Sequence, residues 1–392
     1  MSDFRGAVAT EASARTKSRQ RQEATALLPL TSLRFFAAAA IVFFHLATPF
    51  GYTSDAVRWS TAVTLFFVLS GFILTYVHSD LKNRGDIFRF YTARVARIWP
   101  LHILTLLVAL HLPYTDRNIL VFFLNFLLVQ SWSPDLLVAM SFNGVAWSIS
   151  NEIFFYLLFP LVIISRRHFT LWYIGAIALV AAVITAGNIL GPGAMGDVAP
   201  SWRNFAHVAP PVRFLEFLTG VGFGLLFLRF RELRLSSVAW TGLEILALFA
   251  VYATSQFDRS VALAYSLLGQ VGGDWFVFSG NFPIIGLVVV CFAYGGGLVS
   301  RILSLTPLVI LGEISFSTYM LHQLIQRLWS GAGWTDGTWR PASYVLILVV
   351  IYGASYLSWR FLERPARRLI LKLAAKHERA DPLEDAAQRQ AV

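Results

Sequence analysis

Charged residues are scarce in this sequence. Asp, Glu, Lys and Arg make up 14% of the 392 residues, whereas apolar side chains make up 56%. Soluble domains carry about 25% charged residues, so the polar residues here are too few to cover a soluble protein of this length. The composition excludes a soluble globular protein. The long apolar runs predict an all-α fold, a polytopic transmembrane helical bundle.

Cysteine is almost absent, and so are several catalytic motifs. The one cysteine, Cys291, lies in the apolar run 284–294 and cannot form an internal disulfide. No Cys/His spacing is typical of a zinc site. The sequence also contains no G-x-S-x-G elbow, H-E-x-x-H motif or phosphate-binding loop. We therefore predict no bound metal and no permanently bound cofactor.

The net charge of +10 does not indicate nucleic-acid binding, which needs a basic patch on a folded polar surface. The basic residues lie between apolar runs, and cytoplasmic loops of membrane proteins are enriched in Lys and Arg. We predict about ten spans with both termini cytoplasmic. In this topology 25 of the 32 Lys and Arg residues lie on the cytoplasmic side of the membrane. The predicted partner is the lipid bilayer.

The predicted spans follow from the need for about 20 mainly apolar residues in a helix that crosses a membrane. They are residues 28–48, 59–78, 98–112, 145–165, 169–190, 210–230, 238–256, 281–300, 306–329 and 341–362. The run 118–131 is short and contains Asn125. If this run were counted as a span, either Arg166 and Arg167 or the basic loop at residues 79–97 would lie on the outer side of the membrane. We predict a re-entrant or interfacial element there, on the outer side.

Three regions are expected along the chain. Residues 1–27 form a disordered cytoplasmic tail, residues 28–365 the transmembrane domain, and residues 366–392 a cytoplasmic C-terminal tail. We expect the first span to remain uncleaved, because Arg34 interrupts the start of its apolar run and no small-x-small site follows His45.

The first span carries two ionisable residues, Arg34 and His45. Eleven residues turn a helix by about 1100°, close to three full turns, so both side chains lie on one face, roughly 16 Å apart. That distance suits a long acyl carrier whose phosphates are held inside while its acyl end reaches deeper. The alternative is an arginine that extends to the interface and a histidine satisfied within the core.

A second group surrounds Glu152 in the fourth span, one turn after Trp147 and Ser148. A carboxylate inside a membrane can orient an imidazole or act as a base. It can also be a structural group that pairs with an arginine and locks two helices together.

Further ionisable residues are predicted near the outer side of the membrane. Arg213 and Glu216 are three residues apart and share a helix face, which an internal ion pair alone would explain. His322 lies in the ninth span, where a single histidine is often structural. The predicted topology places these three residues in the outer third together with His45 and Glu152, which favours one shared polar site.

On the inner side, Arg94 and Arg97 are three residues apart and face the same way in a helix. Guanidinium groups in such a pair suit phosphate capture. The general enrichment of arginine in cytoplasmic loops would also explain them.

Taken together, these segments resemble acyltransferase family 3, a family of membrane proteins, from about residue 30 to residue 368. The resemblance rests on the order and spacing of several motifs: Arg34 with His45, FFVLSGF at 66–72, Arg94 and Arg97 before IWP at 98–100, Trp147-Ser148 with Glu152 and Phe155-Tyr156, RFLEFLTG at 213–220, LGEISFSTYMLH at 311–322 and FLERP at 361–365. Asn151 and Phe316 depart mildly from the family pattern.

The resemblance implies a multi-pass protein of the bacterial cytoplasmic (inner) membrane. It would transfer an acyl group, often acetyl from acetyl-CoA, to hydroxyls of envelope polysaccharide, lipopolysaccharide, peptidoglycan or a secondary metabolite. Acyl-CoA is then a co-substrate and a carbohydrate the expected acceptor. Many family members carry an extracytoplasmic hydrolase-like domain after the spans. None follows here, so a separate extracytoplasmic partner protein would supply one if needed.

The roles implied for individual residues fall into three groups. His45 and Glu152 are the expected catalytic residues. The expected acyl-CoA-binding residues are Arg34, Arg94 and Arg97. The acceptor side is assigned to Trp147, Arg213, Glu216 and His322.

Two other classes of function remain open from the sequence. A transporter or flippase would use the same buried charges as a permeation path, but no inverted repeat or pair of broken helices is evident. A structural scaffold is the weaker alternative, because scaffolds have little reason to keep so many ionisable residues within a membrane.

Replacing His45 with Ala is expected to abolish acyl transfer while the amount of membrane protein stays the same, because only the imidazole is removed from an apolar span. Transfer assays on membranes matched by immunoblot measure this. Retained transfer would remove His45 from the mechanism.

Overall fold

The computed structural model describes residues 27–51, 59, 61–112, 118–196, 200–256, 258–337 and 339–380. Within these ranges the regular structure is helical and contains no strand. The predicted all-α class is therefore confirmed. Helices suit this environment because each satisfies its own backbone hydrogen bonds in lipid.

The described residues form seventeen α-helices, labelled in chain order. They are α1 (Leu28–Ala47), α2 (Ala62–Val77), α3 (Arg84–Ala109), α4 (Ile119–Phe126), α5 (Leu136–Ala139), α6 (Ala146–Ile164), α7 (Phe169–Leu190), α8 (Trp202–Val208), α9 (Pro210–Phe230), α10 (Ser237–Gln256), α11 (Asp258–Ser279), α12 (Phe282–Tyr294), α13 (Leu298–Leu303), α14 (Thr306–Glu313), α15 (Ser315–Gly331), α16 (Arg340–Ser358) and α17 (Arg364–Ala380).

The chain is a multi-pass membrane protein. Among the described residues, eight helical segments are long and apolar enough to cross a membrane, and a ninth is added if α14 and α15, bent by 57°, count as one broken span. The shorter apolar helix α2 has 16 residues. Each of the ten predicted spans overlaps one of these helices. Their total of ten and the cytoplasmic position of both termini stay predictions.

The segment predicted to be re-entrant or interfacial contains α4, which has eight residues. At 1.5 Å per residue it is about 12 Å long, too short to cross a hydrocarbon core of about 30 Å. Asn125 is buried there and donates hydrogen bonds to the Val121 carbonyl oxygen at 2.9 Å and to Ser141 Oγ at 2.7 Å.

Three segments predicted to be cytoplasmic contact one another. Arg166 donates a hydrogen bond to the carbonyl oxygen of Ser79 at 2.6 Å. Arg89 forms a 3.2 Å ion pair with Glu378 on α17, and α17 packs along α3. The last helix therefore continues past residue 365 against the body of the protein. The contacts place these three segments at one end of the bundle.

Helix α9 lies at the centre of the bundle and packs most extensively against α2. A Cβ atom at Gly220 would collide with the carbonyl oxygen of Val68, and one at Gly71 would collide with the carbonyl oxygen of Phe217. The two backbones therefore touch, as small residues permit in membrane helices. Phe217 also stacks on Phe155 of α6 with ring centroids 5.0 Å apart, which joins α6 to the same core.

Gly220→Ala is expected to destabilise the protein by about 1 to 3 kcal/mol, because the added methyl group overpacks a backbone contact. Thermal unfolding of purified protein in one detergent measures the loss. The matched control is Gly242→Ala on α10, where an added Cβ meets nothing within 4 Å and helix propensity favours Ala. Equal melting temperatures for the two variants would contradict the close contact.

Candidate active site

A cavity of about 120 Å³ lies between α1, α2, α3, α6 and α15. Three of the helices that line it bring the predicted acyl-CoA-binding arginines together with Glu152, one of the two predicted catalytic residues, whereas His45 is not among the lining residues. The polar residues that line it are Arg34, Ser70, Arg94, Arg97, Ser148, Glu152, Tyr156 and Tyr319. Four residues singled out from the sequence, three arginines and one glutamate, therefore share one cavity. Their chemical roles stay predictions.

Helix α3 positions the two neighbouring arginines. Asn83 and Asp86 form a capping box that fixes the first turn of α3, and the three-residue spacing then puts Arg94 and Arg97 on one face. The Arg94 guanidinium lies 5.8 Å from the ring centroid of Tyr156. Its buried Nε atom has no hydrogen-bond partner among the described residues. A buried donor of this kind is available to an anionic or carbonyl ligand.

Glu152 is held by its own helix. Tyr156, one turn later on α6, donates a hydrogen bond from its hydroxyl to Glu152 Oε2 at 2.6 Å. Tyr156 was quoted from the sequence only as part of a motif and was not predicted as a site residue. Its spacing of four residues from Glu152 on one helix is the signal that could have identified it.

The two histidines predicted for the site meet each other. Nδ1 of His45 lies 3.0 Å from Nε2 of His322. His322 is completely buried, and its Nδ1 lies 3.1 Å from the carbonyl oxygen of Thr318. Within the described chain, the His45 ring therefore contacts the imidazole of His322 and the backbone of Ile41, one turn earlier on α1. The idea that Glu152 orients this imidazole stays a prediction without a described contact.

Tyr319 lies between the cavity and the histidine pair. It lines the cavity, its hydroxyl lies 2.8 Å from Ser148 Oγ, and its ring centroid is 6.0 Å from that of His322. Both residues belong to motifs quoted from the sequence, Ser148 to Trp147-Ser148 and Tyr319 to the segment 311–322, but neither was predicted as a site residue.

Arg213 and Glu216 form a separate buried ion pair. Arg213 Nε lies 3.0 Å from Glu216 Oε1, and both side chains are 1% exposed. Arg213 also donates to Ser279 Oγ at 2.5 Å, and its guanidinium lies 5.6 Å from the ring centroid of Trp147. The internal ion pair that the sequence left open is thus present. Trp147 joins this cluster, and its ring centroid lies 5.2 Å from that of His207 in a tilted arrangement.

A second cavity, of about 520 Å³, shares Arg34 and Arg97 with the first. Its other charged residues come from the end of α14 and from the region around the start of α17. They are Glu313, Glu363, Arg364, Arg367 and Arg368. These five residues were not predicted from the sequence to bind a ligand. The FLERP motif followed by two further arginines is the signal that could have identified them.

Metal ligands are not grouped in the described part of the chain, where no set of three His, Cys, Asp or Glu residues could hold a metal ion. The charged residues that line both cavities are mainly arginines. Arginine favours carboxylate and phosphate ligands. The lining of both cavities therefore favours an anionic ligand.

The site is thus a buried, arginine-lined cavity within a helical membrane bundle. Residues 30–360 match the family model described as an acyltransferase domain. The chain belongs to acyltransferase family 3 and is an acyltransferase.

Two relatives illustrate the similarity. Over 92% of this chain and 96% of the relative, the sequence is 28% identical to acyltransferase MdmB of Streptomyces mycarofaciens. It is 24% identical to O-acetyltransferase OatA of Staphylococcus aureus over 86% of this chain. That match spans 57% of the length of OatA. No solved structure matches the chain.

Removing one partner of the Arg213–Glu216 pair is expected to destabilise the protein by about 3 to 5 kcal/mol, because the remaining charge is left buried alone. Glu216→Leu should therefore lower the melting temperature strongly, and adding Arg213→Leu should restore much of it. A thermal-unfolding comparison of both variants measures this. A double variant no more stable than Glu216→Leu alone would contradict a mainly structural pair.

Proposed function

We propose that this acyltransferase moves an acyl group, in the first place acetyl, from acyl-CoA on the cytoplasmic side to a hydroxyl of an envelope or exported polysaccharide or glycoconjugate. The observation that carries the proposal is that two cavities share Arg34 and Arg97. A carrier whose phosphates occupy the wider cavity can extend its acyl end into the narrower one.

The wider cavity suits the phosphates of CoA. Five arginines line it, and guanidinium groups bind phosphate oxygens in a bidentate geometry. One of the two carboxylates there, that of Glu363, accepts a hydrogen bond from Ser317. The positive charges outnumber the negative ones, so the cavity attracts a polyanion. Arg34 and Arg97 then lie where the phosphate-bearing end of the carrier meets its uncharged arm.

The narrower cavity suits the thioester. Transfer of the acyl group builds negative charge on the thioester carbonyl oxygen, and preorganised donors stabilise such an oxyanion. Arg94 supplies a buried donor without a described partner. Glu152 and Tyr156 form a fixed polar pair beside it. These groups would hold the thioester while the reacting imidazole acts from α1.

His45 is proposed as the reacting imidazole, either as the general base for the acceptor hydroxyl or as a transient acyl carrier. It lies about 16 Å along α1 from Arg34, so the two mark opposite ends of the route. Tyr319 connects the cavity side with the histidine pair. The acceptor would approach near His322 and the cluster of Trp147, Arg213 and Glu216.

The acceptor class is proposed as an envelope glycan in the bacterial inner membrane, with the acyl group passed across the bilayer. The match to O-acetyltransferase OatA supports an oxygen acceptor. A secondary-metabolite hydroxyl offers the same chemistry and is the second candidate, supported by the match along nearly the whole of MdmB. A separate extracytoplasmic protein is the proposed partner for a polymer acceptor.

Membrane vesicles that contain the protein are expected to convert [¹⁴C]acetyl-CoA into alkali-labile label on envelope glycan. Label on a small organic-extractable product would instead support the secondary-metabolite acceptor. Movement of label across the bilayer without a new ester would support a transporter and contradict the proposal.

Arg97→Gln is expected to raise the KM for acetyl-CoA by about 10-fold to 100-fold, because it removes a charge-assisted hydrogen bond worth about 1.5 to 3 kcal/mol. The matched control is Arg234→Gln, an exposed arginine in another predicted inner loop and outside both cavities. Initial rates at varied acetyl-CoA give both values. An unchanged KM in the Arg97 variant would remove this residue from the donor site.

A further inference from the structure

His322 is placed to control the chemistry of His45. It is completely buried on α15, a helix that packs against α1. One ring nitrogen, Nδ1, is 3.1 Å from the carbonyl oxygen of Thr318, one turn earlier on the same helix. The other, Nε2, is 3.0 Å from Nδ1 of His45. The three groups form a chain that runs from backbone to imidazole to imidazole.

The direction of this chain is fixed by its first member. A backbone carbonyl oxygen can only accept a hydrogen bond. Nδ1 of His322 therefore carries a proton and donates a hydrogen bond to the carbonyl oxygen of Thr318. A neutral imidazole carries one proton, so Nε2 of His322 has a free lone pair. It must then accept a hydrogen bond from His45, which places the proton of His45 on Nδ1.

The neutral state of His322 follows from its surroundings. Its side chain is 0% exposed, and the described hydrogen-bond partners of its ring are the backbone of Thr318 and Tyr319 and a second imidazole. A buried charge needs a paired counter-ion. The described carboxylate of the neighbouring cavity, Glu152, bonds to Tyr156 instead.

We propose that His322 is a positioning residue that holds His45 in the tautomer with the proton on Nδ1, so that the lone pair of Nε2 is the reacting group. The inference rests on the proposed function, in which His45 reacts. It reassigns His322 from the acceptor side to the support of the imidazole. The described contacts of the His45 ring are the His322 imidazole at Nδ1 and a backbone hydrogen bond to Ile41, one turn earlier on α1, and the His45 side chain is half-buried.

The proton and the bonds balance in this arrangement. As base, Nε2 of His45 takes the proton of the acceptor hydroxyl while the hydroxyl oxygen bonds to the acyl carbon. The bond from carbon to sulfur breaks, the CoA thiolate leaves, and the imidazolium returns its proton to that thiolate. If His45 carries the acyl group, the same lone pair attacks the acyl carbon and the thiolate leaves. The acceptor hydroxyl oxygen then bonds to the acyl carbon as the bond from that carbon to Nε2 breaks, and the hydroxyl proton goes to the thiolate. In both cases His322 supports the cationic ring as a hydrogen-bond acceptor.

A matched set of variants separates hydrogen bonding from packing. In His322→Gln the amide oxygen can occupy the position of Nε2 and accept from His45. In His322→Leu a side chain of similar bulk cannot accept, and in His322→Asn the amide is too short to reach. We expect the Leu and Asn variants to lose kcat by about 100-fold with the KM for acetyl-CoA unchanged, and the Gln variant to retain most of the wild-type kcat.

The tautomer itself is measured by solid-state NMR on the full chain in lipid, labelled with ¹⁵N-histidine. Protonated and unprotonated ring nitrogens have well-separated ¹⁵N shifts, and His45→Gln identifies the His45 signals. The wild type and His322→Gln should show a proton on Nδ1 of His45. His322→Leu should show a mixture of tautomers.

The two readouts keep this inference separate from the proposed function. A His45 ring with its proton on Nε2 in the wild type would overturn the inference, even if acetyl transfer from acetyl-CoA is observed. Equal kcat in the Gln and Leu variants would overturn it as well. If wild-type protein shows the expected tautomer but transfers no acetyl group, the proposed donor fails and the positioning role of His322 stands.

Discussion

Helices α2 and α9 touch along their backbones because Gly71 and Gly220 carry no side chains where the helices cross. Van der Waals packing at such close approach, and not hydrophobic burial, holds helices together in lipid. The contact fixes Phe217, whose ring stacks on Phe155 and so sets the position of α6. Glu152 belongs to α6, and α2 itself forms a wall of the cavity. The site depends on this crossing although neither glycine lines it.

The charged groups around that crossing are satisfied in different ways. Arg213 and Glu216 form an ion pair with each other, and Arg213 also donates a hydrogen bond to the hydroxyl of Ser279. Arg94 has a buried nitrogen without a described partner. An unsatisfied buried donor lowers the free energy of unfolding. The fold is therefore less stable than it would be if this nitrogen had a partner. Arg213 is paired with a carboxylate on its own helix, whereas Arg94 lies beside the ring of Tyr156 in the cavity.

Sequence reasoning predicted the membrane class, the helical fold and the positions of the ten apolar segments, because each depends on composition and local periodicity. It placed Arg94 on the inner side and Glu152 in the outer third with His45, whereas Arg94 and Glu152 line one cavity together with Arg34. It did not predict the pairing of His45 with His322, which lie 277 positions apart. Nor did it predict the cavity formed by Arg364 and its neighbours, because such contacts arise from packing between distant helices.

The arginines shared by the two cavities also have a consequence for the membrane that surrounds them. A polar passage through a bilayer can conduct protons and sodium ions, and such conduction would dissipate the ion gradients across the membrane. Fixed positive charge at a constriction repels cations electrostatically, and here Arg34 and Arg97 stand where the wider cavity meets the narrower one of about 120 Å³. The same residues that attract an anionic carrier would thus form an electrostatic barrier to the passage of cations.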